Sequence, residues 1–219
     1  MNIAILLPTY NEEQSIGRVI DEIKNLSNGK WRIIVVDSGS TDRTVSIAKQ
    51  KKVRIIQLNV RGKGIAIKKA FEQLDNDYLI QIDCDMSYPP KEILRIVEKL
   101  EECDVVIGSR FKGDMEKGAM SIRNKFGNKC ISLAASLLYL HGVSDVCSGL
   151  WGFNKKAYKS ITITAKHFEL ECDLFAESMK KNLKVCEIPI DYKKREGETK
   201  LSAIYGFIDM WHLFKKRII

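Results

Sequence analysis

The sequence predicts an α/β fold: one domain on a mostly parallel, Rossmann-like sheet with helices on both faces. Three observations carry this. Short β-branched runs of strand length recur through the first half, namely IAILLPT, WRIIVVDS, VRIIQL, YLIQID and DVVIGS. Between them, apolar residues repeat at helical spacing. The strand runs are also nearly continuous in apolar residues, as strands covered on both faces are.

The first strand ends in Pro8-Thr9-Tyr10-Asn11-Glu12. A dinucleotide-binding domain would place G-x-G-x-x-G there, and its absence argues against an NAD or FAD enzyme. The Tyr10 ring can stack on a base, and Glu12 can accept from a ribose or base; a plain turn explains Asn11 but not Tyr10. Asn11 and Gln14 have the spacing of a capping box, ahead of a helix striped by Ile16, Val19, Ile20, Ile23 and Leu26. The second strand ends in Asp37-Ser38-Gly39-Ser40-Thr41-Asp42. Asp37 is placed like a ribose- or base-binding acid, whereas Ser40, Thr41 and Asp42 read as caps for the next helix.

After the third strand, Arg61-Gly62-Lys63-Gly64 opens a helix through Ile65, Ala66, Lys69, Ala70 and Gln73. Gly-x-Gly lets backbone approach a ligand closely, but the P-loop spacing is missing. The fourth strand runs into Asp83-Cys84-Asp85, with Pro89 and Pro90 following. Alternate residues of extended backbone share a side, so the two carboxylates can converge while Cys84 points away. A solvated loop would also hold two acids; a hard cation shared with a phosphate accounts for their spacing. Oxygen ligands without His or thiolate suit Mg2+ or Mn2+. A helix striped by Ile93, Ile96, Val97 and Leu100 leads to the fifth strand. In such sheets ligands bind beyond the carboxyl ends of the strands, where all these turns lie.

The second half is less regular. Residues 121–141 read as one helix, SDVCSGLWGFN as a turn and short strand, 168–182 as a helix, and VCEIPIDYKK as a strand. The last stretch, LSAIYGFIDMWHLFKKRII, is apolar and aromatic with a basic end. No polar, Gly/Pro-rich boundary divides the halves, so a single domain over 1–219 is expected.

A formal charge of +8, from 36 Lys+Arg against 28 Asp+Glu, favours anionic partners. Nucleic acid is excluded by the scatter of the basic residues and the lack of any recognition motif. The six cysteines show no C-x-x-C pair or zinc spacing, so they are expected to be reduced core residues of a cytoplasmic protein. No signal peptide and no run of the roughly 20 apolar residues that span a bilayer are seen.

PTYNE, VVDSGSTD, RGKG, D-x-D-x-x-x-PP, GSR, D-x-x-SG and a late R-x-G-x-T-K-L occur here in order. This set resembles glycosyltransferase family 2, and most of all its dolichyl-phosphate mannose synthase-like, polyprenyl-phosphate branch. The resemblance covers nearly the whole chain and implies the A-type glycosyltransferase fold. Residues 1–110 would then form a nucleotide-sugar-binding half and 111–219 an acceptor half. It also implies metal-dependent, inverting transfer of a hexose, mannose first, from GDP-mannose or a UDP-sugar to a polyprenyl phosphate, with Mg2+ or Mn2+.

By the same resemblance, Pro8, Tyr10, Glu12 and Asp37 would hold the nucleoside, with Lys63 among the donor-binding residues. Asp83 and Asp85 would hold the donor through metal and ribose, with Ser87 where mannose synthases commonly have a metal-binding Gln. Arg110 and Arg123 would face the acceptor phosphate, and Arg195 and Lys200 would close over the diphosphate. A phosphate acceptor is already anionic and needs no general base, which suits candidates that include no His. A hydroxyl-bearing acceptor and an inactive nucleotide-binding module are the alternatives. The final segment is expected to be either a core helix or an interfacial one on the cytosolic face of a membrane. In the latter case Ile204, Tyr205, Ile208 and Trp211 would point inward, with Lys215, Lys216 and Arg217 at the headgroups.

Overall fold

The computed structural model describes residues 1–197 and 204–218, the side chains of Ile204 and Tyr205 apart. In chain order the elements are β1 (Ile3–Thr9), α1 (Ile16–Ser27), β2 (Arg32–Asp37), α2 (Thr44–Gln50), β3 (Arg54–Gln57), α3 (Lys63–Gln73), β4 (Tyr78–Gln81) and α4 (Glu92–Lys99). They continue as β5 (Val105–Ser109), α5 (Ile122–Tyr139), β6 (Trp151–Asn154), α6 (Lys155–Ser160), α7 (Leu170–Lys180), β7 (Val185–Pro189) and α8 (Ile204–Ile218).

The strands form one sheet in the order β3-β2-β1-β4-β6-β5-β7. β6 runs antiparallel to both its neighbours, and the other pairings are parallel. The alternation of side chains explains the apolar strand runs. Along β1, Ala4 and Leu6 enter one core with α3 and α7, while Ile3, Ile5 and Leu7 enter the other with α1 and α4. Each face is covered, so both strand registers must be apolar. The chain leaves β1 for β2 on one side and returns through β4 on the other. The crevice between the carboxyl ends of β1 and β4 is therefore where a parallel sheet holds a ligand.

Three local expectations change. The Asn11–Gln14 capping box does not form: α1 starts at Ile16, after Ser15, with no side-chain cap. Asn11 instead takes a left-handed backbone (φ 53°) and clasps the β2 turn. Its N–H donates to Ser40 Oγ at 2.9 Å, and its Oδ1 accepts from the N–H of Thr41 at 2.8 Å. Gly62 and Gly64 make their close approach to the chain itself. A Cβ on Gly64 would lie 2.4 Å from the Ala165 carbonyl oxygen, and the N–H groups of Gly64 and Ile65 donate to the carbonyls of His167 and Lys166. Lastly, Cys103 and Cys186 are joined in a disulfide, so the cysteines are not all reduced. Cys103 directly precedes the β5 segment and Cys186 lies on neighbouring β7, so strand pairing brings together thiols 83 positions apart.

Candidate active site

A cleft of about 910 Å3 opens at the carboxyl edge of the sheet. One wall comes from the turns after β1, β3 and β4, bringing Pro8, Tyr10, Glu12, Lys63, Asp83 and Asp85 together. The opposite wall comes from α5, α7 and the segment after β7, with Arg123, Glu171 and Arg195. Arg61 stacks on the Tyr10 ring at 4.1 Å.

The turn after β4 is held by its backbone. Ser15 Oγ donates to the Cys84 carbonyl, so the residue between the two acids serves through its main chain. Asp83 bonds Lys63, with Nζ 2.6 Å from Oδ1. Its other oxygen lies where a Cβ on Gly149 would be, at 2.1 Å, which is why D-x-x-SG ends in glycine. Lys63 also pairs with Glu171 at 2.7 Å. Burial by itself would lower the Lys63 pKa, but the Asp83 and Glu171 carboxylates raise it well above its ordinary value. On Glu171 burial wins over Lys63 and raises the carboxyl pKa.

Asp85 is buried, yet one of its oxygens looks into the cleft. Ser87 supplies both its N–H and its hydroxyl to Oδ1. Oδ2 faces Arg195 Nη2 at 3.5 Å. Ser87 is fully buried behind Asp85 and does not line the cleft. Ser87, the candidate that stands where a metal-binding Gln is common, thus spends its N–H and hydroxyl on Asp85. Arg195 is set by a backbone zipper: the N–H groups of Lys193 and Glu196 donate to the Ser87 and Asp85 carbonyls, each at 2.8 Å. Its Nε is buried without a hydrogen-bond partner among the described residues.

Two further candidates sit differently from their expected roles. Asp37 is fully buried and absent from the cleft wall. It accepts from Thr9 Oγ1, from the N–H groups of Gly39 and Ser40, and from Ser40 Oγ. Its carboxylate folds the β2 turn, and Ser38 is the turn residue that reaches the cleft. Arg110 lines the cleft but is committed to Asp145. Nη2 and Nε donate to its two oxygens at 2.6 and 2.7 Å, and a further bond goes to the Cys147 carbonyl at 3.0 Å. Burial opposes the guanidinium charge, but Asp145 overcomes it and holds the pKa far up. Arg123 is exposed in the first turn of α5. Lys200 lies outside the described residues.

Sequence reading missed Glu171, His167, Lys194 and Asp209 on the cleft wall. None belongs to a motif quoted above. Only the packing of α7, α8, the 165–167 loop and the segment after β7 around the cleft brings them in. Burial, reinforced by Glu171 and Glu169, pushes the Asp209 carboxyl up to about 8.

With acids and basic groups gathered at the ends of β1, β4 and β7, the chain matches the model of Glycosyl transferase family 2 over residues 4–162. The chain belongs to glycosyltransferase family 2. This family 2 glycosyltransferase is 32% identical to the dolichyl-phosphate hexose transferase of Haloferax volcanii, over 94% of its own length and 89% of that protein. It is 26% identical to the dolichol-phosphate mannosyltransferase of Pyrococcus furiosus, over 98% of its length and 63% of that longer protein. In fold it is similar to glucosyl-3-phosphoglycerate synthase of Mycobacterium tuberculosis, solved with Mn2+, UDP-glucose and phosphoglyceric acid. The TM-score there is 0.80 at 24% identity, covering 100% of this chain and 80% of that one. The architecture is the A-type glycosyltransferase fold. The family match ends at residue 162, so Glu171, Arg195 and α8 lie beyond it.

Proposed function

We propose that this enzyme transfers a hexose, mannose first among the candidates, from a nucleotide diphosphate sugar to a polyprenyl phosphate, with inversion. The observation that carries this reading is the two-sided character of α5. One face lines the cleft through Arg123, Asn124, Gly127, Asn128 and Ile131. The other presents Ile122, Phe126, Leu133, Leu137 and Leu140 bare to the outside. Alongside, α8 exposes Phe207, Trp211, Phe214 and Ile218, which share one stripe at helical spacing. Basic side chains of the cleft wall, Arg123 and Lys194 among them, beside a broad apolar surface match an acceptor with an anionic head and a hydrocarbon tail.

A hard divalent cation fits the acids present. Asp85 offers a cleft-facing oxygen and Asp83 a second carboxylate, and oxygen ligands of this kind suit such an ion. Asp83 and Asp85 would hold Mg2+ or Mn2+, which stabilises the charge that develops on a departing diphosphate. Arg195, on the cleft wall, would offer its guanidinium to the same phosphates. The acceptor oxygen attacks the anomeric carbon while the bond to the diphosphate breaks on the far side, so one displacement inverts the centre. Arg123 sits where the acceptor head would enter. The names of the two archaeal relatives support hexose and mannose donors, and the solved neighbour was captured with UDP-glucose.

His167 favours a second reading. It lies on the cleft wall beside Gly62, and an imidazole there is a candidate base for a hydroxyl acceptor. One experiment separates the two. GDP-mannose, UDP-glucose and UDP-N-acetylglucosamine are offered with Mg2+ or Mn2+ to a short polyprenyl phosphate and to the matching polyprenol. Product from the phosphate alone, with the α-linked donor giving a β-linked product, is expected. Turnover of the polyprenol alone would overturn the phosphate reading.

Membrane contact belongs to the same proposal, on a changed set of residues. Trp211 is exposed as expected, joined by Phe207 and Phe214. Lys216 is drawn inward to Asp173 and Glu177, whereas Lys215 and Arg217 stay exposed, Arg217 with its Nε on the Leu138 carbonyl, so two of the three basic residues are left to face headgroups. Among the described residues no helix is long and apolar enough to cross a membrane.

A further inference from the structure

We propose that Cys147, Cys172 and Asp209 form a second metal site, for a thiophilic divalent cation such as Zn2+. The three residues come from separate elements: the turn before β6, α7 and α8. Their two sulfurs and one carboxylate oxygen lie within 4.8 Å of one another. A tetrahedral zinc ion holds such atoms about 3.3–3.8 Å apart at bond lengths of about 2.0–2.3 Å. Closing the set therefore takes a movement of about 1 Å, well within side-chain rotation.

A second observation points at a ligand. Asp209 is 92% buried by residue surface, and its Oδ1 has no hydrogen-bond partner among the described residues. A carboxylate in that position is costly unless a cation or donor meets it. Neither cysteine is in a disulfide, so both thiols are available. All three residues line the cleft, giving an ion an entry path and leaving a fourth position for water.

The ligand chemistry separates this site from the one at Asp83 and Asp85, with which it shares no residue. Two thiolates select zinc-like ions over Mg2+ and Mn2+, whereas paired carboxylates do the reverse. An ion here would tie α8 to α7 and to the turn whose Cys147 carbonyl receives Arg110. It would fix the wall on which the acceptor side of the cleft is built, and the thiols would release their protons on binding.

The test is titration of the full chain with Co2+ and then Zn2+, anaerobically, without reductant and in excess Mg2+. Omitting reductant preserves the Cys103–Cys186 bond, and Mg2+ keeps the acidic pair occupied. Expected is one Co2+ per chain with thiolate-to-cobalt charge-transfer absorption, displaced by Zn2+, and a raised melting temperature with Zn2+. Cys147→Ser, which alters the half-buried ligand, should abolish the absorption, as should Cys172→Ser. Asp209→Asn should weaken binding roughly tenfold or more. Cys84→Ser and Cys130→Ser serve as controls and should leave it unchanged. Absence of thiolate absorption in the folded parent protein, or its survival in Cys147→Ser, would overturn the site. Unchanged affinity in Asp209→Asn would overturn the part assigned to the carboxylate.

Discussion

Asp85 and Arg110 line one cleft but are held in different ways. Asp85 keeps an oxygen for the cleft, so Asp85→Asn should lower turnover by about 100-fold or more and remove metal-dependent donor binding. Calorimetry with the nucleotide sugar, with and without Mn2+, reads this directly; retained metal dependence would refute the role. Arg123, exposed in the first turn of α5, should matter to the acceptor alone. Losing one charge-assisted contact, about 1.5–3 kcal/mol, should raise the acceptor KM roughly tenfold or more in Arg123→Ala while the donor KM holds. Arg110 is the opposite case. Arg110→Met leaves Asp145 buried and unpaired, which should cost about 3–5 kcal/mol in urea unfolding. The residue type at a motif position was readable from sequence in all three, but its partner was not. Arg110 and Asp145 are 35 positions apart, and only the packing of the turn before β6 against β5 makes them a pair.

Helix α8 is the element whose character the amino-acid pattern left open, and in the structure it packs one face into the core and leaves an apolar face exposed. Leu213 is buried and Tyr139 OH donates to its carbonyl, which anchors the helix to α5. Its other face stays apolar and bare. Replacing Phe207, Trp211 and Phe214 together by Ser should therefore weaken binding to anionic vesicles without unfolding the protein; undiminished binding would exclude this stripe as the membrane contact. The inner face is held by charge. Asp173, fully buried on α7, pairs with Lys216 at 2.7 Å, and His212 Nε2 lies 3.0 Å from the same oxygen. Although burial opposes ionisation, His212, Lys216 and backbone N–H groups bring the Asp173 carboxyl down to about 2. Its folded pKa is below its unfolded one, so the stabilisation is present above about pH 4. It should be lost as pH falls toward 2, on the order of 2 kcal/mol. Acid unfolding followed by tryptophan fluorescence should show this loss, and Asp173→Asn should remove that part of the pH dependence.

For the molecule as a whole, the Cys103–Cys186 bond is the feature the residue pattern argued against. Scattered cysteines without a motif read as core thiols, and Cys84 and Cys172 are indeed buried and in no disulfide. The pairing of Cys103 with Cys186 follows from β5 lying next to β7, a neighbourhood that exists only once β7 crosses to that edge. Titration of the native protein should count four free thiols among the six cysteines. Replacing both partners by Ala should lower stability by about 2–4 kcal/mol. Six free thiols in protein purified without reductant would refute the bond.

The sequence by itself determined the class of fold, the order of its first five strands and helices, and the strand ends that carry the cleft. Those features repeat at local periods of two and 3.6 residues, and turn chemistry marks where each run stops. It also placed Asp83, Asp85, Glu12 and Arg195 among the functional candidates, because ordered motifs survive in one dimension. Only the tertiary structure decided what each of them meets. It turned Asp37 and Ser87 into supports, engaged Arg110 with Asp145, and brought Glu171, His167 and Asp209 into the cleft from helices and a loop without a motif. Hydrogen-bond saturation, burial and charge pairing are properties of neighbours, and here those neighbours are mostly tens of residues away along the chain.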